Sequence, residues 1–381
     1  MQTARFRPLA RAHGPFASVF FDDSHDSLDA VERREAEWRD IRMRLEEQGA
    51  NVKVVGRLEN AVLHHRPPVG RRGRALIAAD DQVLVDEYLL IPPPATVVRV
   101  SDYPYIVPLI DQEMRWPTYL FASVDHTGAD VTLHHDETTR TETVDGGGYP
   151  VHKPVTAGWT GYGDYQHTTE EARRMNIRAV ADHLTRLVDE ADPEVVFVCG
   201  EIRSRTDLLS ELPERVAARV AQLPHGARDG RTTEDEVRDL IQAEFTRRRR
   251  AAAADVAKRF QAELGRRSGL AAEGLAPVCA ALRSGDVDTL IVGDLGDATV
   301  VTGNARTTVA TDPDTLSELG EPVQRVARAD EALPFAAIAV DASLVRADRR
   351  IAPADGIGAL LRYAAADGLT GPRRAVTEDR P

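Results

Sequence analysis

With 381 residues, 42% of them apolar and 29% charged, the chain is long enough for two or three domains and too rich in core-forming side chains to be disordered over most of its length. Its 61 acidic residues outnumber 48 basic ones, a formal charge of -13 that excludes indiscriminate attraction to nucleic acid, although a local basic stripe can still meet a phosphate backbone. No run approaches the roughly 20 apolar residues that span a bilayer, and residues 1–12 lack a signal-peptide core; with Cys199 and Cys279 reading as small buried hydrophobes, a reducing cytoplasm and no membrane partner are expected.

The first region, residues 1–115, opens with the strand-like run Phe16 to Phe21. A helix is predicted over Asp29 to Gln48, with Val31, Trp38, Ile41 and Leu45 as its apolar stripe. Helical character returns at Leu58 to Leu63 and stops at Pro67 and Pro68. Arg74 to Ala79 and Gln82 to Leu89 read as a hairpin turning at Asp80 and Asp81, ended by Pro92, Pro93 and Pro94.

The second region, residues 116–264, starts with strands at Tyr119 to Val124 and Val131 to His135. Thr168 to Glu171 has the form of a capping box for a helix striped by Ala172, Met175, Ala179, Leu184 and Leu187. Glu194 to Cys199 resembles a strand buried on both faces, and helices are predicted at Arg205 to Glu211, Glu214 to Gln222 and Glu234 to Leu264. In the third region, residues 265–371, Leu270, Leu275, Val278 and Leu282 stripe a helix ended by Gly285. Strands are expected at Thr289 to Val292, Ala298 to Thr302 and Ala336 to Val340, and a closing helix at Gly356 to Ala366; together these suit an α/β/α sandwich. Residues 372–381 read as a tail. The alternation throughout predicts an α/β protein of three domains with mixed sheets.

The segment 146–167 departs from this regularity. It carries Gly146, Gly147, Gly148, Gly158, Gly161 and Gly163 among Tyr149, Trp159, Tyr162 and Tyr165, and so long a structureless loop in a compact domain usually has a function. An exposed ring can stack on an unpaired base, with His152, Lys153, Gln166, His167, Arg173, Arg174 and Arg178 as polar or phosphate-seeking neighbours. The alternative is an Ω-like element folded on its own domain. Arg247, Arg248, Arg249 and Arg250 form a second basic run, read either as a solvated helix face or as a phosphate contact.

Motifs for catalysis are missing. Gly70-Arg71-Arg72-Gly73 precedes a strand, the wrong context for a phosphate cradle, and there is no Gly-x-Ser-x-Gly, His-Glu-x-x-His or Cys-x-x-Cys. The histidine pairs at positions 64 and 65, 134 and 135, and 152 and 167 do not suggest a shared metal, and Asp22, Asp23, His25 and Asp26 fit a turn as well as a cation site. The residues alone favour a binding protein without catalytic residues, metal or cofactor.

Longer strings carry a resemblance. Gly14-Pro15-Phe16-Ala17-Ser18-Val19, Phe21-Asp22-Asp23-Ser24-His25-Asp26, Ser101-Asp102-Tyr103-Pro104-Tyr105, Tyr149-Pro150-Val151-His152-Lys153-Pro154 and Gly161-Tyr162-Gly163-Asp164-Tyr165-Gln166-His167 resemble the bacterial branch of the archaeo-eukaryotic release-factor superfamily, in particular an actinobacterial type of the Balon-like ribosome hibernation factors. The resemblance implies a tRNA-like outline: an N-terminal domain at the decoding region, a middle domain whose loop reaches the peptidyl-transferase centre, and a C-terminal domain resembling ribosomal protein L7Ae. It implies occupancy of the A site of idle ribosomes, contacts with ribosomal RNA of both subunits, and elongation factor Tu as a partner. The Gly-Gly-Gln of hydrolysing members is absent, since Gly146-Gly147-Gly148 is followed by Tyr149 and Gln166 is preceded by Tyr165; the Asn-Ile-Lys-Ser stop-codon signature is also absent. A dormancy factor is therefore the first expectation, and a rescue enzyme cleaving peptidyl-tRNA or tRNA without that tripeptide the second.

Overall fold

A computed structural model describes residues 4–25, 29–65, 71–89, 91–111, 117–135, 138–145, 162–223, 234–347 and 351–364. The chain divides into two compact units, one made of residues 1–115 and 251–381, the other of residues 116–250. The sequence parses the first unit as two domains; its two segments build separate sheets.

In the first segment, α1 (Arg7–Arg11), β1 (Phe16–Asp22), α2 (Ala30–Glu47), α3 (Val52–Leu63), β2 (Gly73–Ala79), β3 (Gln82–Leu89), β4 (Val97–Ser101) and α4 (Val107–Asp111) follow in order. Four strands form an antiparallel sheet, β3-β2-β1-β4. β1 is apolar throughout because both its faces are covered: Ala17, Val19 and Phe21 meet Trp38, Ile41, Leu45 and Leu58, whereas Phe16 and Phe20 enter a core shared with the C-terminal segment. Ala30, not Val31, is the buried residue at the start of α2. The open edge of β4 is blunted by Gln48, whose side chain donates to Val98 O (3.1 Å) and accepts from Val100 N (2.9 Å).

The sheet also buries a charge. Arg74, fully buried on β2, makes a bidentate pair with Asp86 (2.8 and 2.9 Å) and stands 3.5 Å from buried Asp23. Burial pushes the Asp23 carboxyl above its ordinary range despite the guanidinium beside it. Asp22 accepts from Ser24 N at 2.9 Å, so the first two aspartates of the acidic cluster serve a turn and an ion pair.

The C-terminal segment holds β10 (Ala271–Glu273), α9 (Leu275–Ser284), β11 (Val287–Val292), β12 (Thr299–Thr302), β13 (Val309–Ala310), α10 (Pro313–Glu318), β14 (Arg325–Arg328), α11 (Ala329–Ala339), β15 (Ser343–Arg346) and β16 (Ile357–Leu361). One mixed sheet has the order β10-β16-β11-β15, with β11 and β15 parallel; a second, antiparallel, is β13-β12-β14. Leu290 and Val292 face α9 and α11, whereas Ile291 and Leu360 face Ala257 and Phe260, so helices cover both sides of the mixed sheet. Gly285 closes α9 in the left-handed region (φ 73°), as its place in the sequence predicts.

Two predicted elements exchange character. Ala336 to Val340 is not a strand but the end of α11, and Gly356 to Ala366 is not a helix, because Ile357–Leu361 is the buried strand β16. Apolar runs buried on all sides show no period, and local pattern does not separate helix from strand in them.

The two segments of this unit share aromatic and ionic contacts. Phe335 lies 6.5 Å from the Phe16 ring and 5.3 Å from Tyr103, with the Arg306 guanidinium 4.8 Å above it. Arg99 pairs with Asp330 and with buried Glu331, both at 3.0 Å, and Ser101 Oγ donates to Glu331 at 2.6 Å.

The second unit contains β5 (Tyr119–Val124), β6 (Gly128–His135), β7 (Thr138–Asp145), α5 (Tyr162–Ala191), β8 (Val195–Gly200), α6 (Ile202–Glu211), α7 (Glu214–Ala217), β9 (Val220–Gln222) and the first part of α8 (Glu234–Arg266). Its sheet, β7-β6-β5-β8-β9, is antiparallel among β7, β6 and β5 and parallel from β5 to β9. Leu120, Ala122, Val196 and Val198 pack on α5 and α6, while Tyr119, Val195 and Phe197 pack on Ile241 and Phe245 of α8. β8 is thus buried on both faces, as its unbroken apolar run predicts. The helix predicted over Glu214 to Gln222 is one turn followed by β9, and β7 is a strand that its polar sequence conceals. Both cysteines are free and buried, and burial pushes the Cys279 thiol up to about 12.

Candidate nucleic-acid interface

The segment singled out from sequence joins β7 to α5 in the second unit. Tyr149, His152, Lys153 and Trp159 lie outside the described residues. Tyr162, Tyr165, Gln166 and His167 do not belong to a loop: α5 starts at Tyr162, so the four occupy its first two turns. Thr168, read as a cap, is therefore inside the helix. Glycines at 161 and 163 and a lack of apolar period in the sequence hide this start.

Ala172 and Asn176 of this helix are buried, and its packing there depends on the ends of two parallel strands. β5 and β8 finish side by side, Val124 opposite Gly200; a Cβ on Gly200 would fall 1.9 Å from Val124 O, and its φ is 118°, so glycine alone fits. Glu201 then turns into α6, and its carboxylate meets His126 Nδ1 and buried Ser204 Oγ, each at 3.2 Å. Asn176 reaches across from α5, its Nδ2 donating to His126 O at 3.0 Å. Arg203 adds an exposed ion pair to Glu170 at 2.7 Å. These contacts fix the root of the helix on which the candidate residues stand. Asn176 is the signal available beforehand: a carboxamide at a core position of an apolar stripe needs a partner.

The basic side chains divide into free and neutralised ones. Arg173 is half-buried, while Arg174 and Arg178 are exposed, the latter 3.4 Å from Glu211. On α8, Arg247 and Arg248 both pair with Glu244, at 2.7 and 2.9 Å, and the Arg247 hydrogen bond holds that carboxyl below its usual range. Arg249 donates to Thr246 at 3.3 Å. Arg250 is exposed and lines a shallow groove with Asp239, Gln242, Ala243, Thr246 and Arg247. The four consecutive arginines are thus largely internally paired on their helix, and among the described residues of these two runs Arg174 and Arg250 are the cations best presented to a phosphate.

His134 and His135 are engaged within the second unit. His134 stacks on Tyr119 at 4.4 Å and 11°, and burial holds it below its ordinary 6.5. His135 Nδ1 meets Thr118 Oγ1 at 2.8 Å. Among the described residues no helix is long and apolar enough to cross a membrane.

Residues 118–266 match the family described as Bacterial archaeo-eukaryotic release factor family 2. Over 369 residues the chain is 70% identical to the Mycobacterium tuberculosis protein Rv2629 of strain H37Rv, covering 97% of this chain and 99% of that one, and equally to MT2704 of strain CDC 1551. Among solved structures it is similar to Pelota of Archaeoglobus fulgidus, at 14% identity over 90% of this chain and 95% of that one with a TM-score of 0.38. It is also similar to Dom34 of S. cerevisiae, a translation termination-like factor, at 9% identity over 96% and 94% with a TM-score of 0.34.

Proposed function

Because the chain belongs to the bacterial archaeo-eukaryotic release-factor superfamily, we propose that it is a ribosome-associated factor that enters the A site and contacts ribosomal RNA of both subunits. The observation that carries this reading is the match of residues 118–266, which takes in the entire β7–α5 connection and the helix root that anchors it. In the reading that the release-factor match favours, the factor acts in rescue: the start of α5 is presented to a stalled peptidyl-tRNA, and Gln166 or His167 positions a water for ester hydrolysis. The net charge of -13 is compatible with docking because stacking and a few exposed arginines act locally, within a screening length of about 8 Å at physiological salt.

One observation favours a second reading, occupancy without chemistry in idle ribosomes: no Gly-Gly-Gln stands anywhere in the chain. Under that reading the C-terminal sandwich, as the L7Ae-like domain, faces the partner, with elongation factor Tu as the candidate. Stalled ribosome complexes carrying labelled peptidyl-tRNA separate the two. Rescue predicts peptide release that Gln166→Ala abolishes; bound factor with no release supports dormancy. Neither binding nor release would overturn both.

A further inference from the structure

The edges of the sheets are unequally protected. β9 and β10 are three residues long, β15 four, β4 is covered by the Gln48 side chain, and the β2–β3 ladder shifts register at Ile77 and Ala78. β7 differs: it runs for eight residues, Thr138–Asp145, without proline or register shift, and among the described residues no strand pairs with its outer side. Such an edge is a template for another strand.

Its sequence says which strand. β6 and β7 are joined by two residues, His135 opposite Thr138, so ladder alternation turns the backbone groups of Thr139, Thr141 and Thr143 outward. On one face Thr141 pairs with Thr132 (3.1 Å) and Thr143 donates to Asp130 (2.9 Å); the other face carries Arg140 and Glu142, an ion pair at 2.5 Å, with Glu142 also 3.1 Å from His183 Nε2. Charges that only blunt an edge need no order. Here opposite charges lie two residues apart about Thr141, and a two-fold axis through Thr141 sets each Arg140 against the Glu142 of another β7.

We propose that two copies of this chain associate through β7, antiparallel and centred on Thr141, joining their two five-stranded sheets. The pairing exchanges backbone hydrogen bonds at Thr141–Thr141 and at Thr139–Thr143. It places both Arg140–Glu142 contacts at non-hydrogen-bonded positions, where facing side chains stand closest. One strand pair is a small interface, so the association is micromolar rather than nanomolar. The inference is independent of the ribosome reading, and its test contains no ribosome.

Sedimentation of the full chain across a concentration series is expected to move from the 41.7 kDa monomer toward twice that mass. Arg140→Glu or Glu142→Arg alone sets like charges opposite each other and should weaken the dimer about tenfold. The double exchange Arg140→Glu with Glu142→Arg should restore it. Independently of any loss of fold in those variants, Thr141→Cys should form a covalent dimer on mild oxidation, because facing Cα atoms at a hydrogen-bonded pair are about 5.5 Å apart. Thr138→Cys, whose copies would lie about 20 Å apart, should not. A wild-type chain monomeric throughout, a double exchange as weak as the single ones, or equal cross-linking at positions 138 and 141 overturns the proposal.

Discussion

Arg74→Met is expected to lower the unfolding free energy by about 3–5 kcal/mol, the usual cost of stripping a buried charge of its partner. The guanidinium lies wholly inside the N-terminal sheet, bidentate to Asp86 and 3.5 Å from Asp23. Asp86 is partly exposed and can turn to water, but Asp23 is buried and has nowhere to go. Its carboxyl is already raised above the ordinary 3.8 by burial, and without Arg74 it rises further. A carboxyl whose folded-state pKa lies above its unfolded value costs stability as pH climbs through the folded pKa, so the deficit should shrink as pH is lowered toward 4. Denaturant titration of wild type and variant at two pH values checks both statements. Asp23→Asn in the Arg74→Met background should recover part of the loss, since it removes the stranded charge; a loss below about 1 kcal/mol would show that the pair is not buried as described.

Phe335→Ala should cost a comparable amount, about 3–5 kcal/mol, and the loss should register in the other segment of its unit. The ring is fully buried on α11, against Phe16, Tyr103 and Arg306, where the core of the N-terminal sheet is continuous with that of the C-terminal one. Trp38, buried against β1 in the N-terminal segment, supplies a local reporter once Trp116 and Trp159 are replaced by Phe. The Trp38 transition is expected to move together with that of the whole unit. A shift seen by circular dichroism but not by Trp38 would mean that the two segments unfold separately.

Legibility from sequence followed how strongly burial imposes a period. α2 is readable because Trp38, Ile41 and Leu45 return on one face, and the β2–β3 hairpin because Asp80, at φ 55°, accepts the left-handed turn that two facing strands require. In α11 and β16 the sequence does not separate helix from strand, because neither has an exposed face to break the apolar run. β7 is hidden for the opposite reason: an edge strand whose threonines face water alternates weakly. At the candidate site, composition marked the glycine- and aromatic-rich segment as unusual, yet Tyr162 to His167 proved helical. The His126, Glu201 and Asn176 contacts at its root depend on β5 and β8 ending side by side, a pairing across some 75 residues that local pattern does not contain.

Co-sedimentation with vacant ribosomes tests the central claim most directly. The full chain should pellet with them, and removing residues 146–161 should weaken that binding about tenfold or more, the worth of one or two stacked bases. Full-length protein that stays in the supernatant at every ribosome concentration would contradict the account; so would retained binding that the deletion leaves unchanged, since the β7–α5 connection would then have no part in it.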